Sequence, residues 1–268
     1  DNPTKQMHHV MTRKLITAKV GVKVDEVKSL FRQHKIEKLP VIDQKGILKG
    51  LITSKDIYKR TMYPNASKDK KGRLLVGAAV GVVGDYIDRT KALVDAGCDI
   101  IVIDIAHGHS TLAIEAIKNI KKQFGNSIQV VGGNVATYRG AADLVAAGAD
   151  AVKVGVGPGS ICTTRKVTGC GVPQLSAILE CSRITKETGV PIIADGGIRN
   201  SGDIVKALAA GASSVMAGNI LGGTDESPGQ VINRDGKRFK AYRGMASLGA
   251  NWGRRVLFLS ERKQHMPE

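Results

Sequence analysis

One stretch of this sequence concentrates groups able to do covalent chemistry: Gly155-Val156-Gly157-Pro158-Gly159-Ser160-Ile161-Cys162-Thr163-Thr164-Arg165. A cysteine reacts as the thiolate, and nearby hydroxyls and cationic groups favour that form. Cys162 is flanked by both, so it reads as a nucleophile that attacks an electrophilic carbon and holds it covalently. The three glycines let the backbone wrap closely and turn amides and carbonyls toward a ligand. Burial as an inert apolar side chain is the commoner fate of cysteine. Cys98, at the start of an apolar run, and Cys181, on a helix face, are read that way. Cys170, between Gly169 and Gly171, is more open but has no supporting hydroxyls. No pair has the spacing of a zinc site.

Two further loops complement this one. Ala194-Asp195-Gly196-Gly197-Ile198 and Ala217-Gly218-Asn219 each follow an apolar run. Glycine-rich turns after strands, with free amides, hold phosphate, and Asp195 is free to accept hydrogen bonds from ribose hydroxyls. Asp104-Ile105-Ala106-His107-Gly108-His109-Ser110 contains two histidines but no carboxylate cluster to hold a metal with them. Gly132-Gly133-Asn134 ends another run and offers an amide side chain to a ligand. No GxGxxG follows a strand, which excludes a Rossmann cofactor site.

The elements that must position these loops are legible from about residue 74. Apolar runs at Leu74–Val82, Ile100–Ala106, Ile128–Val135, Ala151–Gly157, Pro191–Gly197 and Ser214–Ile220 lack strict alternation, as expected of parallel strands covered on both faces. Helical stretches between them close on Gly97, Gly125, Gly148, Gly189 and Gly211, in αL turns. Val94–Asp99, Val145–Asp150 and Leu208–Ser213 repeat one pattern of helix end, tight turn and strand start. Such alternation predicts an α/β fold with a parallel sheet. A doubly wound sheet and a barrel both satisfy it, and the regular repeat with polar loops after every strand favours the (β/α)8 barrel. Six strands are visible where a closed barrel has eight. Residues 1–61 read as a small β-α-β-β-α unit, with helices at about 24–34 and from Thr53, whose hydroxyl can cap the second. Residues 62–73 are a polar linker.

Composition bounds the partners. The 268 residues carry a net charge of +16, which favours anions. The lysines are spread along helices and aromatics make up only 4%, so solvated helix faces explain the charge better than a nucleic-acid groove does. Thiols without disulfide spacing fit a reducing compartment. No apolar run approaches the ~18 residues of a membrane span, and no signal peptide opens the chain, so a cytoplasmic location is expected. A first residue other than Met raises the expectation of a fragment or processed product.

The motifs together resemble the inosine-5′-monophosphate (IMP) dehydrogenase family over nearly all of residues 7–250. The matching stretches are Gly72–Gly81, Gly157–Arg165, Gly171–Gln174, Asp195–Ile198, Glu226–Gly229 and Tyr242-Arg243-Gly244-Met245. Guanosine-monophosphate reductases share the barrel and cysteine loop, but Ser-Ile-Cys and Tyr-Arg-Gly-Met look like the dehydrogenase. The resemblance implies NAD-dependent oxidation of IMP to xanthosine 5′-monophosphate, in guanine nucleotide synthesis, through a thioimidate on Cys162, with Thr164 supporting the chemistry. It implies that Ser160, Asp195, Gly196, Gly197, Gly218, Asn219, Tyr242, Arg243, Gly244 and Met245 hold the nucleotide. Asp104, Asn134, Gly155, Val156 and Gly157 would face the cofactor, and the carbonyls of Gly157, Gly159 and Cys162 would bind potassium. Residues 1–61 resemble a CBS repeat, the second of a pair, with an adenosine or guanosine nucleotide as its ligand and Asp56 on the ribose. The family forms tetramers, which implies a homo-oligomer here. Relative to the family, two barrel strands and the first CBS repeat are absent, Ala246 stands where the flap has Gly, and Phe258 and Leu259 align with the Arg-Tyr pair that activates water; Arg262 meets it only with a shift. Residues 251–268 diverge, as a frame-shifted or truncated product would. The competing expectation is a non-catalytic nucleotide-binding remnant.

Overall fold

The structure is a computed structural model and describes residues 4–244 and 247. The chain divides into two compact units at Leu74/Leu75. The first contains α1 (Met7–Val10), β1 (Ala18–Lys19), α2 (Val24–His34), β2 (Lys38–Ile42), β3 (Leu48–Thr53) and α3 (Ser54–Met62). Its sheet runs β1-β2-β3, parallel then antiparallel. Ala18, Val27 and Leu39 form its core, with Leu30, Phe31, Ile52 and Ile57 packed around them. Thr53 caps α3 as expected, in a full capping box with Asp56. The Thr53 amide and hydroxyl both donate to Asp56 Oδ2, at 2.8 and 2.7 Å.

The second unit alternates strand and helix: β4 (Gly77–Val80), α4 (Tyr86–Asp95), β5 (Ile100–Asp104), α5 (Thr111–Phe124), β6 (Gln129–Val135), α6 (Tyr138–Ala146), β7 (Ala151–Val154), α7 (Thr164–Thr168), α8 (Gln174–Thr188), β8 (Ile192–Asp195), α9 (Ser201–Ala209) and β9 (Ser214–Met216). The strand order is β4-β5-β6-β7-β8-β9 and every neighbouring pair is parallel. A doubly wound sheet reverses direction at a switch point. Here each strand is added beside the last, so the sheet curls one way as a partial barrel. A hairpin, β10 (Val231–Arg234) and β11 (Lys237–Lys240), follows.

The core lies between sheet and helices. Ala113, Ala116, Ile117 and Ile120, spaced i, i+3, i+4 and i+7, put one face of α5 against Ile101, Ile103 and Val130. Each fully buried isoleucine contributes roughly 1.5–3 kcal/mol in water-transfer terms. Gly97, Gly148, Gly189 and Gly211 take positive φ where the helices end, as their positions predict. Gly125 differs: at φ 56°, ψ −131° it lies outside αL, because a 3₁₀ turn over Gly125–Ser127 intervenes before β6. The strands are shorter than the apolar runs, since residues such as Gly155–Gly157 leave the ladder to build loops. The hairpin was not anticipated, though Asp235-Gly236, both at positive φ, is a strong two-residue turn signal. Among the described residues, no helix is long and apolar enough to cross a membrane.

Candidate active site

Parallel strands place all their C-terminal ends on one rim, and that rim collects the polar loops. Asp104 ends β5, Asn134 lies near the end of β6, Gly155 follows β7, and Asp195 ends β8. The loop after β5 folds back over β6: Gly108 N–H donates to the Asn134 carbonyl at 2.8 Å. A Cβ on Gly108 would fall 2.6 Å from the Gly133 carbonyl carbon, so only glycine allows this approach. The Gly133–Asn134 peptide is cis.

The Cys162 loop is bent by a turn in which Cys162 N–H donates to the Gly159 carbonyl at 3.0 Å. The half-buried Cys162 thiol donates to Thr164 Oγ1 at 3.3 Å. Arg165 does not flank the thiol in the way its position in the chain suggests. Its guanidinium donates to the Val172 carbonyl at 2.7 Å, and its stem passes over Gly157 and Gly171. It therefore ties the loop to residues 171–172 instead. Cys181 follows expectation: it is buried, and burial pushes its thiol up to about 12. Cys98, expected to be buried, is only half-buried, while Cys170 is exposed as its flanking glycines suggest.

Three glycine contacts join the predicted pieces. A Cβ on Gly196 would meet Pro158 Cγ at 2.9 Å and Gly159 N at 3.0 Å, so the loops after β7 and β8 touch. A Cβ on Gly218 would lie 2.7 Å from the Tyr242 hydroxyl. One on Gly244 would lie 3.3 Å from Ile161 Cδ1. Residues 242–244 thus reach from the loop after β9 to the cysteine loop. Ser160, Asn219 and Arg243 lie exposed on these same segments. Met245, Ala246, Phe258, Leu259, Arg262 and the tail 251–268 lie outside the described residues.

This architecture is that of a known enzyme family. The model of the IMP dehydrogenase / GMP reductase domain matches residues 6–268. The chain belongs to the IMP dehydrogenase / GMP reductase family. It is 62% identical to inosine-5′-monophosphate dehydrogenase of Nitrosopumilus maritimus over 92% of this chain and 52% of that protein. The Aquifex aeolicus enzyme of that name is 59% identical over 92% of this chain and 50% of its own length. Among solved structures, GMP reductase C318A from Trypanosoma brucei, in complex with guanosine 5′-monophosphate, superposes with a TM-score of 0.81 at 48% identity, covering 91% of this chain and 51% of its own. The chain thus spans about half the length of these relatives.

Inside the rim lies a polar cluster that residue spacing did not reveal. Lys153, 2% exposed in the middle of β7, directs Nζ to Asp104 Oδ1 at 3.2 Å and Asp195 Oδ2 at 2.5 Å. Asn134 Nδ2 donates to Asp195 Oδ2 at 2.9 Å and to the Gly155 carbonyl at 2.8 Å. Asp195 is therefore not free as expected; one of its oxygens already takes two donors. Gln174 Nε2 donates to the carbonyls of Val154 and Asp195. Because all these partners are acceptors, the amides can be oriented only this way. Asn134 Oδ1 and Gln174 Oε1 are then left buried without a partner among the described residues. Buried acceptors of this kind lack a donor that a ligand can supply. The signal for Lys153 was present: a lysine between two valines of a buried strand needs an anionic partner.

Proposed function

We propose that this chain carries the covalent centre of an IMP dehydrogenase, oxidising inosine 5′-monophosphate to xanthosine 5′-monophosphate. The observation that carries the proposal is the Cys162 thiol 3.3 Å from the Thr164 hydroxyl, in a loop that abuts the glycine loop after β8 and Gly244. The Cys162 thiolate attacks C2 of the purine, and the C2 hydrogen departs with its bonding pair as hydride. The Thr164 hydroxyl, free to rotate, steadies the thiolate before attack. NAD⁺, when bound, supplies the hydride acceptor. Water then adds to C2 of the thioimidate, the C–S bond breaks, and the thiol recovers its proton as product leaves.

Ser160, Gly196, Gly197, Gly218 and Asn219 supply amides and hydroxyls to the nucleotide, and Tyr242, Arg243, Gly244 and Met245 are assigned to the same ligand by the resemblance. Asp195 meets the ribose through Oδ1, the oxygen not used by Lys153 and Asn134. Asp104, Asn134 and Gly155–Gly157 face the dinucleotide, and the buried orphan Asn134 Oδ1 fits a ligand donor. Potassium would sit on the carbonyls of Gly157, Gly159 and Cys162. The Gly159 oxygen accepts one amide and keeps a lone pair for it. For residues 1–61 we infer a CBS repeat with a purine nucleotide near Asp56, whose carboxylate the capping box holds fixed. The family resemblance favours a homo-oligomer, and four free thiols fit the cytoplasm.

The test is intact-protein mass spectrometry after incubation with IMP and NAD⁺, with NADH absorbance followed in parallel. An IMP-derived adduct lost in Cys162→Ala, with one NADH per chain, is expected. Continuous NADH production means that this chain also activates water. Neither adduct nor NADH leaves a nucleotide-binding remnant and sinks the proposal.

A further inference from the structure

Lys153 is the most deeply buried charged group among the described residues, and the chemistry proposed above assigns it no role. Its neighbours Val152 and Val154 pack into the core between sheet and helices. Strand alternation turns Lys153 to the opposite face. Gly133 on the adjacent strand makes room: a Cβ there would lie 2.7 Å from Lys153 Cβ. Both hydrogen bonds of the ammonium go to carboxylates on separate strands, Asp104 on β5 and Asp195 on β8. Asp104 is half exposed and Asp195 a quarter exposed, so each presents a second oxygen toward the rim. Among the described residues, those second oxygens, Asp104 Oδ2 and Asp195 Oδ1, take no protein donor.

We propose that Lys153 is a positioning residue that couples two ligand subsites, holding Asp104 toward the dinucleotide and Asp195 toward the substrate ribose through one shared ammonium. The inference rests on the nucleotide assignment made above. One positive charge lies between two negative ones. Without it two like-charged carboxylates, both within hydrogen-bond reach of one point, would stand close together, an arrangement that like charges disfavour. With it, a ligand that fixes either carboxylate also fixes the lysine, and so prepares the other carboxylate. The second ligand then meets a site already ordered, which is positive coupling without any large movement. Asn134 reinforces the arrangement by donating to the same Asp195 oxygen as Lys153. The bonds also explain why the cation is a lysine at this depth: its single Nζ reaches both carboxylates from within the strand.

The experiment is isothermal titration calorimetry on the whole chain carrying Cys162→Ala, so that bound IMP and NAD⁺ cannot react, with each ligand titrated alone and in the presence of the other. The expected result in this parent is that each ligand tightens the other by about fivefold or more, a typical coupling between sites. Lys153→Met keeps the length and loses the charge, and should reduce that factor to about one. Asp104→Asn keeps Lys153 and Asp195 paired while weakening the second link. It tests the same coupling where folding is least disturbed, and its factor should fall as well. A merely structural role would lower melting temperature and both affinities together but leave the ratio intact. An unchanged coupling factor when either substitution is added to that parent, or none in the parent, overturns the proposal while the nucleotide assignment stands. Failure of the parent to bind either ligand removes that assignment and this inference with it.

Discussion

The contact between the loops after β7 and β8 can be broken at one atom. Gly196 has φ +90°, and an alanine Cβ there would lie 2.9 Å from Pro158 Cγ and 3.0 Å from Gly159 N. Carbon contacts are comfortable near roughly 3.5 Å, so the loops must part by about half an ångström. One obstructing atom belongs to a proline ring and the other to the backbone, so no rotamer change relieves the clash. Positive φ alone costs an alanine roughly 1–2 kcal/mol, and overpacking adds about 1–3 kcal/mol. Gly196→Ala should therefore lower unfolding free energy by about 2–5 kcal/mol in urea titrations. Because a misplacement of about 1 Å can cost on the order of a hundredfold in function, IMP affinity and the rate of adduct formation at Cys162 should fall as well. Gly189→Ala is the control. Its φ is +76°, but nothing lies within 4 Å of the added Cβ. It should lose only about 1–2 kcal/mol and keep wild-type nucleotide binding. Equal stability losses and equal affinities in the two variants would refute the claim that these loops form one wall.

Other perturbations address separate links. Ile117→Ala, at a fully buried position facing β6, should cost about 2–5 kcal/mol by urea denaturation and leave the ratio of adduct to folded protein unchanged. Cys181, raised to about 12 by burial, should resist iodoacetamide at pH 8 until urea is added, while Cys162 and Cys170 react in the native protein. An unfolded thiol titrates near 8.5, so this group leaves stability unchanged below that pH and lowers it as pH rises toward about 12; Cys181→Ala should flatten that decline. Thr53→Val removes the cap of α3 and should cost about 0.5–2 kcal/mol, read as faster amide exchange in α3. The Thr53 hydrogen bonds hold the Asp56 carboxyl below its ordinary value, so this stabilisation is present at neutral pH and lost as pH falls below about 4.

Much of this protein was written in local pattern. The apolar runs and the glycines that end each helix specify parallel strands alternating with helices, because a strand covered on both faces has no polar side and a helix needs a residue tolerant of positive φ to stop. The loops of Cys162, Asp195 and Gly218 announced themselves through composition, since close backbone wrapping demands glycine. Three things were decided only in three dimensions. The winding direction of the sheet depends on which strand pairs with which, and a β-α repeat is equally consistent with a switch point. The direction of Arg165 depends on Gly157 and Gly171 meeting across its stem, a contact between segments that spacing along the chain does not encode. The ammonium of Lys153 joins Asp104 and Asp195, which stand 49 and 42 residues away along the chain. A lysine between two valines signals that a buried charge must find a partner; which carboxylates answer is settled by the register of four neighbouring strands.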